Sequence, residues 1–130
     1  MKFNDEGSLC FFKFDERAKI PSKRLEDGGY DIYALFNEDI VIVKPHETIM
    51  LPTGLGSVFS DRFVIVLHER GSTGTKGIAQ RSGVIDSGYR GEWQVPITNT
   101  TDDVLCFVKT TGTDDELNNR VNELEDLSGV

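Results

Sequence analysis

Short runs rich in Val, Ile, Phe and Tyr recur along the chain and are separated by turn-forming residues such as Asp27-Gly28-Gly29 and Pro52-Thr53-Gly54. The runs are Leu9–Phe14, Tyr30–Leu35, Ile40–Val43, Thr48–Leu51, Phe63–Leu67, Trp93–Thr98 and Val104–Val108. Strands of this length and spacing are typical of an all-β sandwich or barrel and not of alternating βαβ units. Because 130 residues suit one modest core, the pattern predicts a single all-β domain over residues 1–130.

The hydrophobic pattern changes at the C-terminus, where Leu117, Val121, Leu124 and Leu127 follow the spacing of one helical face. Thr113, with Glu116 three residues later, fits a capping box. We therefore expect a short acidic amphipathic helix over about residues 114–127. Its apolar stripe would pack on the β-domain or on a neighbouring subunit.

Composition adds little to this picture. Hydrophobic residues make up 38% of the chain and charged residues 28%, as expected of a soluble globular protein. No apolar run approaches the ~18 residues of a membrane span, and the polar N-terminus has no signal-peptide core, so we expect a cytoplasmic protein without a membrane partner. Cys10 and Cys106 lie in apolar runs without metal-binding spacing and are expected to be two buried free thiols.

The net charge of −8 argues against direct binding to nucleic acid, which requires a basic face. The charge is unevenly distributed, because residues 70–90 carry four cations and one carboxylate, whereas residues 113–130 carry six acids and one base. A compact cationic region on an acidic protein suits a small polyanion better than a long one. The alternative is that these charges merely decorate a solvated hairpin.

The segment Gly83–Trp93 has the most specific composition in the chain. It sets Asp86, Tyr89 and Arg90 among glycines, a composition that a buried structural strand does not have. Glycines let a backbone turn sharply and approach a ligand closely. An aspartate at the end of a short apolar run can be a positioned base, and a tyrosine three residues later offers a flat apolar face. The alternative is a glycine-rich hairpin without a site.

This segment closely resembles the signature motif of the trimeric, all-β dUTPases, which hydrolyse dUTP to dUMP and pyrophosphate. The resemblance implies a jelly-roll-like distorted β-barrel and a homotrimer with its sites between subunits. It also implies that Asp86 is the general base that activates a water for attack on the α-phosphorus. Tyr89 would lie against the deoxyribose and leave no room for a 2′-hydroxyl.

The same resemblance implies that the hairpin from about Gln80 to Gln94 binds uracil through its backbone. Gln80 occupies the position of an asparagine whose side chain helps to hold uracil in the family. The other substrate contacts implied for this hairpin are Gly83, Ile85 and Gln94. Arg90 and Glu92 match the motif and are expected to tie the hairpin down without touching the substrate.

A second segment, Glu69–Ile78, contains three glycines, three hydroxyl side chains and two cations. Backbone N–H groups and hydroxyls could bind phosphate oxygens here, unless the segment is only a flexible polar turn. It resembles the second motif of the dUTPases, although Gly71 stands between Arg70 and Ser72 where the family has serine directly after arginine. The resemblance implies that Arg70, Gly71, Ser72 and Thr73 bind phosphate. No helix signal follows, so the segment is not a Walker-type P-loop.

A third segment, Gly28–Ala34, resembles the first dUTPase motif, whose aspartate holds a water of the Mg²⁺ that accompanies the triphosphate. The resemblance implies Mg²⁺ as the cofactor and Asp31 as its ligand through water. This agrees with the preference of Mg²⁺ for waters, phosphates and one or two carboxylates. Alternatively, Asp31 is a surface residue on an ordinary turn and strand.

The resemblance covers about residues 25–108 and lacks the fourth and fifth motifs of the family. Ile78-Ala79-Gln80 is similar to part of the fourth motif but precedes the third. Either the chain is a truncated form of a longer phage-type enzyme, or it is a naturally short homologue without the lid that closes over the γ-phosphate. Both explanations predict weak or absent turnover with the binding geometry retained.

The resulting functional prediction is Mg²⁺-dependent hydrolysis of dUTP, which limits uracil incorporation into DNA. A related dCTP deaminase is disfavoured, because the segment Asp86–Tyr89 lacks the glutamate-centred arrangement expected of that family. The other alternative is a catalytically weakened or silent homologue that acts as a nucleotide- or protein-binding regulatory module. The missing motifs and the acidic tail, which could contact a regulatory protein partner, favour that alternative, whereas the presence of Asp86 and Tyr89 disfavours it.

Overall fold

The computed structural model describes residues 2–3 and 9–109, which are built almost entirely of strands and connecting turns. The elements are β1 (Lys2–Phe3), β2 (Leu9–Lys13), β3 (Ile40–Val43), β4 (Thr48–Pro52), β5 (Leu55–Phe59), β6 (Ile65–Val66), α1 (Gly71–Gly74), β7 (Ile78–Gln80), β8 (Val84–Ile85), β9 (Gln94–Asn99) and β10 (Leu105–Val108). The predicted all-β class is therefore confirmed. The predicted helix at about residues 114–127 lies outside the described residues. Within them, no helix has the length and apolar character that crossing a membrane requires.

Two compact units divide the chain. The first comprises the described part of Met1–Phe36 together with Met50–His68 and Arg81–Pro96. The second comprises Asn37–Ile49, Glu69–Gln80 and the described part of Ile97–Val130. The organisation of residues 1–130 as one domain stays a prediction.

The first unit is organised around β2, which lies at the centre of an antiparallel sheet with the order β1-β2-β5. Leu9 of β2 stands opposite Phe59 of β5. Because successive strand residues point to opposite faces, Phe11 lies on the same face as this pair. That face forms the core, in which Phe11 and Phe59 pack with Ile85 and Trp93. The rings of Phe11 and Trp93 meet edge to face with their centroids 5.5 Å apart, a favoured geometry for two aromatic side chains.

A two-stranded antiparallel ribbon of β6 and β8 completes this core. Ile65 stands opposite Ile85, and Val66 stands opposite Val84. Ile85 is buried and Ile65 packs against the core cluster, whereas Val66 and Val84 on the other face are exposed. The alternation along β8 thus anchors the chain in the core at the residue that immediately precedes Asp86.

In the second unit, β3 pairs with β10, and the last three residues of β9, Ile97 to Asn99, pair with β7. Asn99, at the end of β9, is buried and links these parts. Its amide nitrogen donates to the carbonyl oxygens of Val43 at 3.1 Å and Asp103 at 2.7 Å, and its amide oxygen accepts from the backbone N–H and the hydroxyl of Thr101. The backbone of Asn99 also holds the turn before β4, because its carbonyl oxygen accepts a hydrogen bond from the backbone N–H of His46.

Five of the predicted strands are confirmed to within a residue or two at their ends: those at Leu9–Phe14, Ile40–Val43, Thr48–Leu51, Trp93–Thr98 and Val104–Val108. The prediction at Phe63–Leu67 is too long, since only Ile65–Val66 is a strand. The predicted strand at Tyr30–Leu35 is wrong. That segment is an irregular connection whose regular pairing is limited to a bridge between Asp31 and Ser22.

Tyr30 and Tyr33 account for the apolar appearance of this misassigned segment. Both rings are partly exposed, and each has a lysine ammonium over its face: Lys23 over Tyr30 and Lys19 over Tyr33. Each ring is thus in contact with a cation and is not packed under a neighbouring sheet. The local sequence does not show this difference.

Cys10 and Cys106 both lie outside any disulfide, as predicted. Cys10 is buried, but Cys106 is only partly buried, so the prediction of two buried thiols is wrong for the second.

Candidate active site

The turn that follows β8 carries the principal candidate residues. Asp86 comes directly after the buried Ile85, and the backbone N–H of Tyr89 donates to the carbonyl oxygen of Asp86 at 3.1 Å, which closes a tight turn. The Asp86 side chain is exposed and makes no hydrogen bond or ion pair within the part of the chain that the structure describes. A carboxylate is thereby held at the end of an anchored strand with its oxygens available to a ligand.

The side chain of Tyr89 is fixed although it is 43% exposed. Its hydroxyl donates to the backbone carbonyl of Glu92 at 2.8 Å, and its ring lies next to the Cα of Gly91. Both contacts lie within the loop itself. The loop therefore presents one flat aromatic surface in a defined orientation, three residues after Asp86.

Arg90 ties this loop to strand β5. Its guanidinium donates to the carbonyl oxygens of Ser87 within the loop and of Ser57 on β5, the second at 3.3 Å. Bonds from a charged donor are stronger than neutral ones. The interpretation of Arg90 as a residue that holds the hairpin is confirmed by these contacts.

Glu92 makes the second tie. One carboxylate oxygen accepts from the backbone N–H of Gly54 at 2.7 Å, and the other accepts from the side-chain amide of Gln94 at 2.9 Å. These bonds confirm that Glu92 also ties the hairpin down, whereas its expected lack of contact with the substrate stays a prediction. The side chain of Gln94, a predicted substrate contact, donates to Glu92 and so takes part in the support of the loop.

Trp93 closes the loop against the core. Its backbone N–H donates to the carbonyl of Leu55, its indole N–H donates to the hydroxyl of Ser57 at 3.0 Å, and its carbonyl accepts from the hydroxyl of Thr53 at 2.8 Å. Trp93, Ser57 and Thr53 are all at most 1% exposed. Since buried polar groups are costly when unpaired, these bonds define where the loop after β8 returns to the core.

Gln80 ends strand β7 and carries the most unusual polar group among the candidate residues. Its side-chain nitrogen is fully buried and has no hydrogen-bond partner within the described residues. Buried donors without a partner are rare in folded proteins, and a water, an ion or a ligand group can satisfy them. Two of the next three residues have positive φ angles, Ser82 at 56° and Gly83 at 121°.

The glycine-rich segment after β6 forms one helical turn, α1, which the sequence does not predict. The N–H groups of Thr73 and Gly74 donate to the carbonyl of Arg70, and the hydroxyl of Thr73 donates to the same oxygen at 2.9 Å. The two donors of Thr73 and the N–H of Gly74 are therefore used by the turn itself. Ser72 and Arg70 are exposed at its start.

Asp31 lies at the base of a braced loop. Its backbone exchanges two hydrogen bonds with Ser22, at 2.8 and 3.3 Å, which closes the chain between them. Within this loop, hydrogen bonds from Arg24 hold the pKa of Asp27 below its usual range. Among the described residues there is no cluster of three or more metal-ligating side chains. Asp31 thus lies on a loop closed by backbone hydrogen bonds, and within the described residues it belongs to no cluster of side chains that could hold a metal by themselves.

The candidates divide between the two units. The first unit holds Asp31, Gly83, Ile85, Asp86, Tyr89 and Gln94, and the second holds Arg70, Gly71, Ser72, Thr73 and Gln80. The structure brings Asp86 and Tyr89 together in one turn and Arg70 to Thr73 in another. The supporting residues Thr53, Gly54 and Ser57 are not among those predicted from the sequence. Gly54 could have been suspected from the turn signal Pro52-Thr53-Gly54, whereas nothing in the sequence indicates that Ser57 receives an indole N–H.

The comparisons with known proteins point in one direction. A protein-family model described as dUTPase matches residues 15–110. The deoxyuridine 5′-triphosphate nucleotidohydrolase of Leptospira interrogans is 32% identical over 94 residues, which are 69% of this chain and 64% of the relative. The enzyme of the same name from Bifidobacterium longum is 32% identical over 76 residues, which are 56% of this chain and 46% of the relative. The chain therefore spans less than two thirds of the length of these relatives.

Solved structures of phage proteins are similar as well. The dUTPase of Staphylococcus bacteriophage 80alpha superposes with a TM-score of 0.66 and 26% identity, over 74% of this chain and 61% of the phage chain. The dUTPase of the S. aureus phage phi11 gives a TM-score of 0.65 and 26% identity, over 72% of this chain and 60% of that one.

Proposed function

We propose that this chain, which belongs to the dUTPase family, hydrolyses dUTP to dUMP and pyrophosphate. The observation that carries the proposal is the turn after β8, in which an exposed Asp86 carboxylate and a fixed, half-exposed Tyr89 ring are held three residues apart. Neither side chain is buried, although the loop around them is tied to the core at several points. A folded chain that maintains such a turn is organised to meet a ligand.

Asp86 is the proposed general base. It accepts a proton from a water whose oxygen forms the new bond to the α-phosphorus, while the bond from that phosphorus to the bridging oxygen breaks and pyrophosphate leaves. An ordinary aspartate is a weak base, so its position must supply much of its effect. The anchored Ile85 and the Asp86–Tyr89 turn support that role, because they restrict where the carboxylate can lie.

Tyr89 and Gln80 are the proposed selectors of the nucleoside. Tyr89 would lie against the deoxyribose. The buried, unpaired amide nitrogen of Gln80 supports a role in base binding, because a uracil carbonyl would provide the acceptor that it lacks. A site that pairs its buried polar groups only with the correct base rejects other bases strongly. Gly83, Ile85 and Gln94 are the further proposed contacts of this hairpin.

Arg70, Gly71, Ser72 and Thr73 are the proposed phosphate contacts. Arg70 would supply the charge and Ser72 a hydroxyl, while Thr73 would have to turn its hydroxyl proton from the Arg70 carbonyl towards the phosphate. Asp31 is the proposed ligand of Mg²⁺ through a water. A carboxylate outside any cluster of metal-ligating side chains in the described residues fits this ion, which takes most of its ligands from water and phosphate. When bound with the triphosphate, Mg²⁺ would offset the charge that develops on the phosphate oxygens.

We further propose that the chain acts as a homotrimer in the cytoplasm, where deoxynucleotides are consumed. The division of the candidate residues between two compact units is compatible with a site completed by a neighbouring subunit, as in the family. Light scattering after gel filtration would test this, with three times the 14.5 kDa chain mass expected. A monomer that hydrolyses dUTP would contradict the trimer and leave the activity standing.

The deciding experiment measures pyrophosphate release from dUTP with Mg²⁺, beside dTTP, dCTP and UTP. Release from dUTP alone is expected, and Asp86→Asn should lower kcat by roughly 10²- to 10⁴-fold, the range for general-base catalysis. Asp61→Asn is the matched control, since it removes the same charge at an exposed position of the same unit. Equal rates for the two variants would contradict the role of Asp86. Binding of a non-hydrolysable dUTP analogue without any release would favour a silent regulatory module instead.

A further inference from the structure

The space beside the Tyr89 ring depends on Gly91. A Cβ atom at Gly91 would lie 2.6 Å from the Tyr89 hydroxyl oxygen, 2.7 Å from Cζ and 3.0 Å from Cε1. Contacts below 3.0 Å essentially never occur for real Cβ atoms, so a side chain at Gly91 would displace the ring or the backbone. Gly91 is not among the glycines with positive φ, so its backbone conformation does not itself require glycine. The position of the tyrosine ring is what excludes a side chain here.

The Tyr89 ring is held at a second point. Its hydroxyl donates to the carbonyl of Glu92 at 2.8 Å. Glu92 is itself held through its carboxylate by the N–H of Gly54 and the amide of Gln94. The ring is thus constrained by Gly91 along its hydroxyl end and by Glu92 at the oxygen. It retains an exposed surface of 43% for a ligand.

We infer that Gly91 determines the sugar specificity of this site by setting the position of the Tyr89 ring. The inference rests on the proposed function, in which that ring meets the deoxyribose. A ribonucleotide differs there by one oxygen atom, so its exclusion requires the ring to be placed to within about an ångström. A shift of the ring by that distance is large enough to change a reaction rate substantially. Gly91 is a positioning residue, because it acts on the substrate only through Tyr89.

The test compares kcat/KM for dUTP and for UTP in the wild-type chain and in Gly91→Ala. The substitution should lower the dUTP-to-UTP ratio by roughly tenfold or more, because a displaced ring no longer fills the space of a 2′-hydroxyl. Gly88→Ala is the matched control in the same loop. A Cβ at Gly88 would meet no atom within 4 Å, so the ratio should stay at the wild-type value. A wild-type ratio in folded Gly91→Ala, or an equal fall in Gly88→Ala, would overturn the inference.

If Gly91→Ala does not fold, a second variant can still test whether the position of the Tyr89 ring sets the sugar specificity. Tyr89→Phe retains the ring and removes only the bond to the Glu92 carbonyl, so it should lower the ratio by a smaller factor, about threefold. In the double variant the two losses should not add, because both act on the same ring. Thermal melts of all variants separate a shift in specificity from a loss of folded protein. A wild-type ratio in Tyr89→Phe, with Gly91→Ala unfolded, would also overturn the inference.

The inference and the proposed function can fail separately. If the wild-type chain releases no pyrophosphate, the same ratio is taken from the dissociation constants of the non-hydrolysable imido analogues of dUTP and UTP. A preference for the deoxy analogue that Gly91→Ala reduces would sustain the inference after the catalytic proposal had failed. A preference that Gly91→Ala leaves unchanged would overturn the inference, and the absence of any nucleotide binding would overturn both.

Discussion

Replacing Glu92 by alanine should destabilise the protein through one identifiable group, the backbone N–H of Gly54. Gly54 is buried and adopts a left-handed conformation, with φ 70°. Its N–H donates to the Glu92 carboxylate at 2.7 Å, and among the described residues this is its only partner. A Cβ at Gly54 would come within 3.0 Å of Ala18 and Leu35, so the segment has little room to rearrange. The N–H would therefore be left buried and unpaired.

The size of the effect follows from the charge of the acceptor. A hydrogen bond to a charged group contributes about 1.5–3 kcal/mol, against about 0.5–1.5 kcal/mol for a neutral one. Glu92→Ala should therefore lower the free energy of unfolding by roughly 1.5–3 kcal/mol and the melting temperature by roughly 6–12 °C for a chain of this size. Glu92→Gln should lose about half as much, because its amide oxygen can still accept from Gly54 while Gln94 turns its own amide to match.

Calorimetry and urea unfolding at neutral pH provide the assay. Glu38→Ala, at an exposed position, controls for the loss of one negative charge. Pyrophosphate release from dUTP should fall with Glu92→Ala, since Glu92 anchors the loop that carries Asp86. The reasoning would be refuted if Glu92→Ala melted within about 2 °C of the wild type, or if Glu92→Gln were as unstable as Glu92→Ala.

Three further predictions concern other bonds of the fold. Ser57→Ala leaves the buried indole N–H of Trp93 without its acceptor and should reduce the free energy of unfolding by about 1–3 kcal/mol in urea titrations; an unchanged midpoint would contradict this. Asn99→Ala removes four hydrogen bonds in the second unit and should cost about 3 kcal/mol or more by the same measurement, clearly exceeding the effect of Ser57→Ala. Hydrogen bonds from Arg17 lower the pKa of Asp15 to about 2. The ion pair therefore stabilises the folded state at pH values above the ordinary pKa of aspartate, and this stabilisation is lost as the pH falls towards about 2. The melting temperature should therefore fall more steeply between about pH 4 and pH 2 in the wild type than in Asp15→Asn, and parallel curves would contradict the assignment.

Much of the fold was accessible from local patterns. Ile40–Val43 and the runs at Leu9–Phe14 and Val104–Val108 are strands because β-branched and aromatic residues occur together between turn formers. Strand β5, Leu55–Phe59, escaped notice because Gly56 and Ser57 interrupt its apolar pattern. Ser57 is nevertheless fully buried, since its hydroxyl meets the Trp93 indole, and such a pairing across 36 positions is invisible to any local window.

The candidate site shows the same division. The residue types and spacing of Asp86, Tyr89 and Arg90 were sufficient to single out the loop and its resemblance. The helical turn at Gly71–Gly74 was not anticipated, because two glycines disfavour a helix and the turn is stabilised by few bonds. Nor does the sequence state that Gln80 buries an unpaired amide nitrogen, which depends on what surrounds the side chain.

The sequence by itself determined the all-β class, most of the strands and the loop that carries Asp86 and Tyr89, because these depend on side-chain types and short-range periodicity. Only the tertiary structure decided how that loop is held. The ties from Arg90 to Ser57 and from Glu92 to Gly54 join residues more than thirty positions apart, and they involve backbone groups that almost all residue types share. Which backbone group lies within hydrogen-bond distance of which side chain depends on the packing of strands, and no pattern within a single segment contains that information.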